Sequence, residues 1–314
     1  MKVPTVSIVI PTYQRLRYLQ EALSSALRQT YQDFEVIVSD DDSSEQIARY
    51  VSSLGDRRVR YRSNSQTLGI AMNNFAAFSE AKGKYIASLH DDDLWEPSFL
   101  ETMVPPMQTD EEITVVFCDH HLIDEKGCLL PEATEKNSRL YHRHQLKPGR
   151  HQPFLKLAVV DQAIPLVMAA IFRKSILKGV IYSKRIGGSY DHWLAYLAAR
   201  DGQACYYLPQ RMTRYRVHAG SATASRGVSN LRERIYVRHT FLRDNRLTVY
   251  GASLRNGLGV LYGKMALAYL SQGSFWRGKI LFKRAFSLMN RPKNMLTLSI
   301  NAVRVLGQRK GRMI

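Results

Sequence analysis

Strand-like and helix-like segments alternate through residues 6–118, and that alternation confines the chain to an α/β architecture. Val6-Ser7-Ile8-Val9-Ile10 is a β-branched run closed by Pro11, and Leu16, Leu19, Leu23 and Leu27 then recur at helical spacing. Phe34–Val38 is a second strand ending in Asp40, Asp41 and Asp42, with Ser43 placed to cap a helix carrying Ile47, Tyr50, Val51 and Leu54. Val59-Arg60-Tyr61 is a weaker strand, and Gly69 opens a helical pattern through Met72, Phe75 and Ala76. Tyr85–Leu89 is a strand running into His90, Asp91, Asp92 and Asp93; Pro97 can start a helix, and Thr114–Cys118 is a further strand. Right-handed crossovers then imply a mostly parallel sheet flanked by helices, with ligands bound beyond the carboxyl ends of its strands. Two strands end there in acidic clusters.

Adjacent carboxylates repel, so Asp91–Asp93 is stabilised by a cation among them. Mg²⁺ or Mn²⁺ would take these oxygens together with substrate phosphates. The competing account is a solvated acidic turn in which Asp93 caps the next helix. Charge is also segregated along the chain: Lys and Arg number 45 against 27 Asp and Glu, yet residues 226–314 hold 18 of the bases and 2 of the acids. Residues 1–225 are therefore nearly neutral, which disfavours reading the whole protein as a nucleic-acid binder. Cys118, Cys128 and Cys205 show no CxxC spacing and fit a reducing compartment. The first residues lack a signal-peptide pattern, and the apolar stretch Leu155–Phe172 is broken by Lys156, Asp161, Gln162 and Pro165. The expectation is a cytoplasmic protein, soluble or peripheral at the inner membrane face.

Four segments resemble, in order and spacing, the family 2 inverting glycosyltransferases. They are Ser7–Arg15 (SIVIPTYQR), Phe34–Ser44 (FEVIVSDDDSS), Leu68–Asn74 (LGIAMNN) and Leu89–Asp93 with Pro97. The resemblance covers residues 5 to about 225 and implies a GT-A (Rossmann-like) fold, with a catalytic domain over 1–225 and a basic, mainly helical extension over 226–314. It implies donor contacts from Pro11, Tyr13, Arg15, Asp41, Asn74 and Asp91, with Tyr13 stacked on the base, Asp41 reading its edge and Asp91 on the ribose. Asp92 would hold a divalent Mn²⁺ or Mg²⁺ bridging the diphosphate, because His90 replaces the family's first aspartate. Ser189–Leu194 is similar to the family's ED-containing helix start, with Tyr190 replacing the glutamate, so Asp191 becomes the catalytic base. Taken alone, Asp191 reads first as a helix N-terminal carboxylate favoured by the helix dipole. Tyr215–Ser221 resembles the family's YRxHxGS segment, which brings His218 toward the metal; a turn histidine is the plainer account.

The implied activity is metal-dependent, inverting transfer from a nucleotide-sugar to a hydroxyl of a glycan or lipid-linked glycan, in surface polysaccharide or glycolipid assembly. A catalytically silent donor-binding adaptor is the alternative. Residues 130–153 read as a long polar loop or flap. His120, His121, His142, His144 and His151 make a poor zinc set, and Gly257, Gly259 and Gly263 only imitate a dinucleotide fingerprint. Drawn as a helix, Phe275–Met289 places Phe275, Leu281, Phe282, Ala285, Phe286, Leu288 and Met289 on one face. Arg277, Lys279, Lys283 and Arg284 fall on the other with Trp276 and Ile280, which suits an anionic membrane surface.

Overall fold

Three consecutive βα units at the N-terminus build the half of the sheet that carries both acidic edges. The computed structural model describes residues 3–164, 167–218, 220, 227–290 and 292–310. In chain order the first elements are β1 (Val6–Thr12), α1 (Leu16–Leu27), β2 (Phe34–Asp40), α2 (Glu45–Ser53), β3 (Val59–Ser63), α3 (Ile70–Glu80) and β4 (Tyr85–Ser88). There follow β5 (Leu94–Trp95), α4 (Phe99–Met103), α5 (Pro105–Thr109), β6 (Ile113–Ile123), α6 (Pro131–Leu140), β7 (Gly149–His151) and α7 (Leu155–Val159). The last are β8 (Ala170–Arg173), α8 (Tyr190–Ala199) and β9 (Ala204–Arg216).

The strand order is β3-β2-β1-β4-β8-β6-β9-β5, with β7 paired to β9. β3, β2, β1 and β4 run parallel, whereas β8 is antiparallel to both β4 and β6 before β9 returns parallel to β6. The sheet is thus mixed, and β8 is where the parallel winding is broken. Every residue of β1 and β2 is buried, because helices cover both faces. Val6, Ile8, Ile10, Val36 and Val38 share a core with Leu19, Leu23 and Ala26 of α1. Thr12 lies level with Asp40 and Val9 with Ser88, so Asp41 and Asp91 emerge at the same edge.

Three local expectations change. Ser44, not Ser43, caps α2 by accepting from Ile47 N–H; Ser43 has a left-handed φ of 54° and donates to the Asn64 carbonyl. After Pro97 the chain first reaches α4 at Phe99, and Leu94–Trp95 has already paired with Thr213 and Arg214. Residues 130–153 are not a loop: they form α6, a 3₁₀ turn (Arg143–Gln145) and β7. Polar side chains dock this segment, with Thr134 Oγ1 accepting Leu122 N–H, Ser138 donating to Asp119, and buried Arg143 paired with Asp119 at 2.5 Å.

The chain divides into two compact units, Met1–Ser221 and Ala222–Ile314; the expected boundary at 225–226 falls outside the described residues. The second unit is helical: α9 (Val228–Phe241), α10 (Gly251–Ser271), α11 (Phe275–Leu288) and α12 (Pro292–Lys310). Its core gathers Leu231, Ile235, Leu258, Leu261, Tyr262, Met265, Ala285, Met289 and Leu298. Gly259 and Gly263 are the close-approach points of α10. A methyl group would sit 2.9 Å from the Ala285 carbonyl at the first, and 2.8 Å from Leu298 at the second. The face of α11 expected to meet lipid is largely spent inside this core, since Leu281, Phe282, Phe286 and Leu288 pack on it beside Ala285 and Met289. Phe275, Trp276 and Ile280 remain exposed. No helix among the described residues is long and apolar enough to cross a membrane.

Candidate active site

Asp40 organises the turn after β2. Its carboxylate accepts Asp42 N–H (3.0 Å), Ser44 N–H (2.7 Å) and the Tyr61 hydroxyl (2.9 Å). Burial and that carboxylate push the Tyr61 phenol up to about 12. Asp41 accepts from Asn64 Nδ2, Leu68 N–H and Gly69 N–H, each at 2.8 Å. Those bonds use three of roughly four lone-pair sites and leave Oδ2 one acceptor position. Gly69, with φ +82°, makes the turn that lets both backbone donors reach it. Pro11 is buried in β1, while Tyr13 just beyond is 47% exposed.

At the end of β4, Asp91 accepts from Thr12 Oγ1 (2.9 Å) and lies 3.5 Å from Arg15. Asp92 Oδ2 is shared by Arg15 (2.9 Å) and His218 Nε2 (2.9 Å), and Arg15 also donates to the Gly220 carbonyl. Asp93 is completely buried; its Oδ1 accepts Arg216 N–H (2.9 Å), while Oδ2 faces His90 Nδ1 at 3.4 Å and has no well-formed hydrogen bond among the described residues. Arg216, itself buried, donates to the Asp92 carbonyl, the Glu125 carbonyl and Glu21, and so clamps this edge to α1 and to the loop after β6. Burial and the neighbouring Asp92 charge raise the Asp91 carboxyl to about 7. Asp93 rises to about 6 by burial, opposed by His90 and reinforced by Asp92. Burial alone would lower His90, but Tyr190, Asp93 and Asp92 outweigh it and hold the imidazole well above its usual value.

Residues a hundred positions apart in sequence meet here. His90 Nε2 is hydrogen-bonded to the hydroxyl of Tyr190, the first residue of α8, so the acid edge of β4 and the helix start carrying Asp191 belong to one site. Tyr190 is buried edge-on against Phe75, with ring centroids 6.4 Å apart. Asp191 is half-buried in the first turn of α8, where its carboxylate accepts His192 N–H at 2.6 Å. This arrangement can hold a divalent cation. One ligand atom from each of His90, Asp92 and Asp93 lies within 4.8 Å of the others, and the buried Asp93 Oδ2 sits 3.4 Å from His90 Nδ1.

The structure therefore brings together Tyr13, Arg15, Asp91, Asp92 and His218 at one strand edge, with Asp191 joined through its neighbour Tyr190. Asn74, also expected as a donor contact, lies inside the core. It is fully buried, its Nδ2 donates to the Ile70 carbonyl (2.8 Å), and its Oδ1 accepts Ser88 Oγ (2.8 Å). Ala219 and Ser221 of the His218 segment lie outside the described residues. Sequence reading missed Thr12, Arg216 and the structural part played by Asp93. All three stand inside segments that carry the family resemblance, but nothing in the residues themselves points to these partners. The remaining histidines form no metal-capable group among the described residues, and burial drives His120 down to about 3.

Comparison with known proteins bears on the family and the fold. A family model described as Glycosyl transferase family 2 matches residues 7–176. An uncharacterized glycosyltransferase of Rickettsia typhi is 29% identical over 230 residues, covering 70% of this chain and 66% of its own length. The chain thus spans just under two thirds of that relative. The hyaluronan synthase of Pasteurella multocida is 35% identical over 130 residues, 41% of this chain and 13% of the synthase. Among solved structures, Staphylococcus aureus TarS 1–349 in complex with UDP-GlcNAc superposes with a TM-score of 0.65 at 12% identity, covering 98% of this chain and 92% of that one. The mannosyltransferase PcManGT from Pyrobaculum calidifontis, in complex with GDP-Man and Mn²⁺, gives 0.61 at 16% identity over 96% and 87%. Both likenesses concern the fold, which is GT-A.

Proposed function

The chain belongs to glycosyl transferase family 2, and on that premise we propose that it transfers a sugar, with inversion, from a nucleotide-sugar to a hydroxyl acceptor. The contact between His90 and Tyr190 carries this reading, because it puts a cation-capable acid edge and a carboxylate at a helix start into one site. Asp41 receives a ring N–H of the base on its open Oδ2 position, and exposed Tyr13 stacks on the base. Asp91, oriented by Thr12, takes the ribose. Asp92 and Asp93 with His90 hold Mn²⁺ or Mg²⁺, and His218 supports Asp92 from the side. When bound, the ion offsets negative charge on the departing nucleoside diphosphate. Arg15 supplies a second positive charge at the same edge. Asp191 takes the proton from the acceptor hydroxyl as that oxygen attacks the anomeric carbon.

Nucleotide-sugars in the TarS and PcManGT structures, and the glycan product named in the hyaluronan synthase relative, support a donor of this class and a glycan acceptor. The chemistry belongs to residues 1–225. The helical remainder, 226–314, offers an outward surface on α11 where exposed Trp276 and Ile280 alternate with Lys279 and Lys283. That pattern suits an anionic cytoplasmic membrane face and assembly of a lipid-linked or surface glycan. Asp191→Asn is the direct test. Nucleotide-sugar binding by calorimetry should stay within about threefold of wild type while transfer falls by at least about 10³-fold. Near-normal turnover removes Asp191 from the reaction. Asp92→Ala should abolish Mn²⁺-dependent donor hydrolysis.

A further inference from the structure

The opposite edge of the sheet carries a second feature that the transfer does not use. β8 is antiparallel to β4, so Arg173 lies level with Tyr85 and the end of β8 meets the start of β4. A cleft of about 610 Å³ opens there, with the whole of β4 between it and Asp91–Asp93. Lys82, Lys84, Lys174, Lys178 and Arg173 line it, and among the described residues no acid does. Lys84 has one loose carboxylate neighbour, Glu111 at 3.6 Å. Lys174 donates to the Ala81 carbonyl and so ties the end of β8 to the end of α3. Lys82 and Lys178 are exposed, and their ammonium groups have no partner among the described residues.

Arg173 is the anchored member of the set. It is 9% exposed, and its Nε and Nη2 donate to the carbonyls of Ile113 (3.0 Å), Met107 (2.9 Å) and Asp110 (3.2 Å). Carbonyls hold the guanidinium without neutralising it. The Asp110 carboxylate, which feels its charge, is engaged by Arg150 at 2.9 Å. Both hydrogens on Arg173 Nη1 lack a hydrogen-bond partner among the described residues. Five cations around one concave space raise its potential and attract an anion. A carboxylate would offset one of them. A phosphate monoester carries about two negative charges near neutrality, and its oxygens suit lysines acting as point charges. The rest of the wall is apolar, with Phe78, Leu177 and Tyr182, and Tyr182 is held by stacking on Phe75 at a centroid distance of 3.9 Å. A space of this size takes a body behind the phosphate.

We propose that this cleft binds a phosphate ester, its phosphate among the lysines and Arg173 and its apolar body against Leu177 and Tyr182. The site is apart from the transfer and exists whether or not Asp191 is the base. The test is calorimetry of the full chain with inorganic phosphate and with naphthyl phosphate, in EDTA so that the unliganded carboxylates after β4 repel both. Both should bind, the ester about tenfold more tightly than the bare ion because its rings are buried. Lys82→Gln with Lys178→Gln removes two exposed side chains that hold nothing in the fold, and should weaken the ester by about tenfold or more. Failure of the ester to bind overturns the proposal, and so does an ester no tighter than inorganic phosphate. Binding that survives the double variant overturns it too, and a fall in Arg15→Gln instead would put the ester at the acid edge. Vesicles carrying phosphatidic acid separate two sources of the ester, on a chain that also carries Lys279→Gln and Lys283→Gln. Displacement of naphthyl phosphate makes the natural ester a lipid headgroup; no displacement makes it a soluble compound.

Discussion

Glu35 and Asp91 are both buried carboxylates, and their surroundings give them opposite pH signatures. For Glu35, burial alone raises the pKa, but Ser7 Oγ (2.6 Å), Lys82 N–H (2.7 Å) and Arg60 (3.3 Å) outweigh it and bring the carboxyl below 4.5. A depressed folded value means its stabilisation is present above the unfolded value and lost as pH falls through the folded one. Glu35→Gln should flatten the acid limb of the stability curve below about pH 4.5 and cost about 1–3 kcal/mol near neutrality, read from melts across pH. Asp91, raised to about 7, behaves oppositely: without a cation, its contribution is present below 3.8 and lost as pH climbs through about 7. A cation rewards the charged form, so the rise in melting temperature on adding Mn²⁺ should be larger at about pH 8 than at about pH 5.5; an equal or reversed shift counts against the assignment. Asp41, Asp92 and Asp191 were legible because each is marked by its immediate neighbours in the chain. Arg216 was not, since the groups it holds, Glu21 and the Asp92 carbonyl, lie 195 and 124 residues away.

Among the elements, β1, β2 and β4 announce themselves through near-continuous apolar runs, interrupted only by Ser7 in β1 and Glu35 in β2 before their polar C-terminal ends, as suits strands buried on both faces. The two- and three-residue strands β5 and β7 carry no such pattern, and exist because β9 offers them backbone partners. α6 was misread for a related reason. Its sequence is polar, and what docks it is hydrogen bonding to Asp119 and Leu122 rather than an apolar stripe. The turn from α3 into β4 shows how tightly elements can be spaced. Gly83 N–H donates to Ser7 Oγ at 2.8 Å, and a methyl group on Gly83 would lie 2.6 Å from the Ser7 backbone nitrogen. Gly83→Ala should therefore destabilise the first unit by about 1–3 kcal/mol, seen as a lowered calorimetric transition, because backbone cannot swing aside as a side chain can. A transition within about 0.5 kcal/mol of wild type would show that β1 yields more readily than its full burial suggests.

For the molecule as a whole, a formal charge of +18 hides a division of labour: the bases in excess lie in the final 89 residues. Hydropathy pattern showed that the α11 segment is amphipathic, but not that its broad apolar face would be consumed by its own helical unit; burial against α10 is a tertiary event. What is left outside is narrower, with Trp276 and Ile280 beside Lys279 and Lys283. The protein should cosediment with anionic vesicles at low salt, less at moderate salt, and not with neutral ones. Lys279→Gln with Lys283→Gln should weaken this by about 2 kcal/mol, roughly 30-fold. Recovery in the supernatant with both vesicle types would remove the membrane from the account. The order in which the chain is made adds a constraint of its own. Asp92 and Asp93 leave the ribosome more than 120 residues before Arg216 and His218, the partners that β9 delivers. The nascent N-terminal half therefore carries its negative edge without those counterparts, and the site becomes a site only when the last strand of the sheet is laid down.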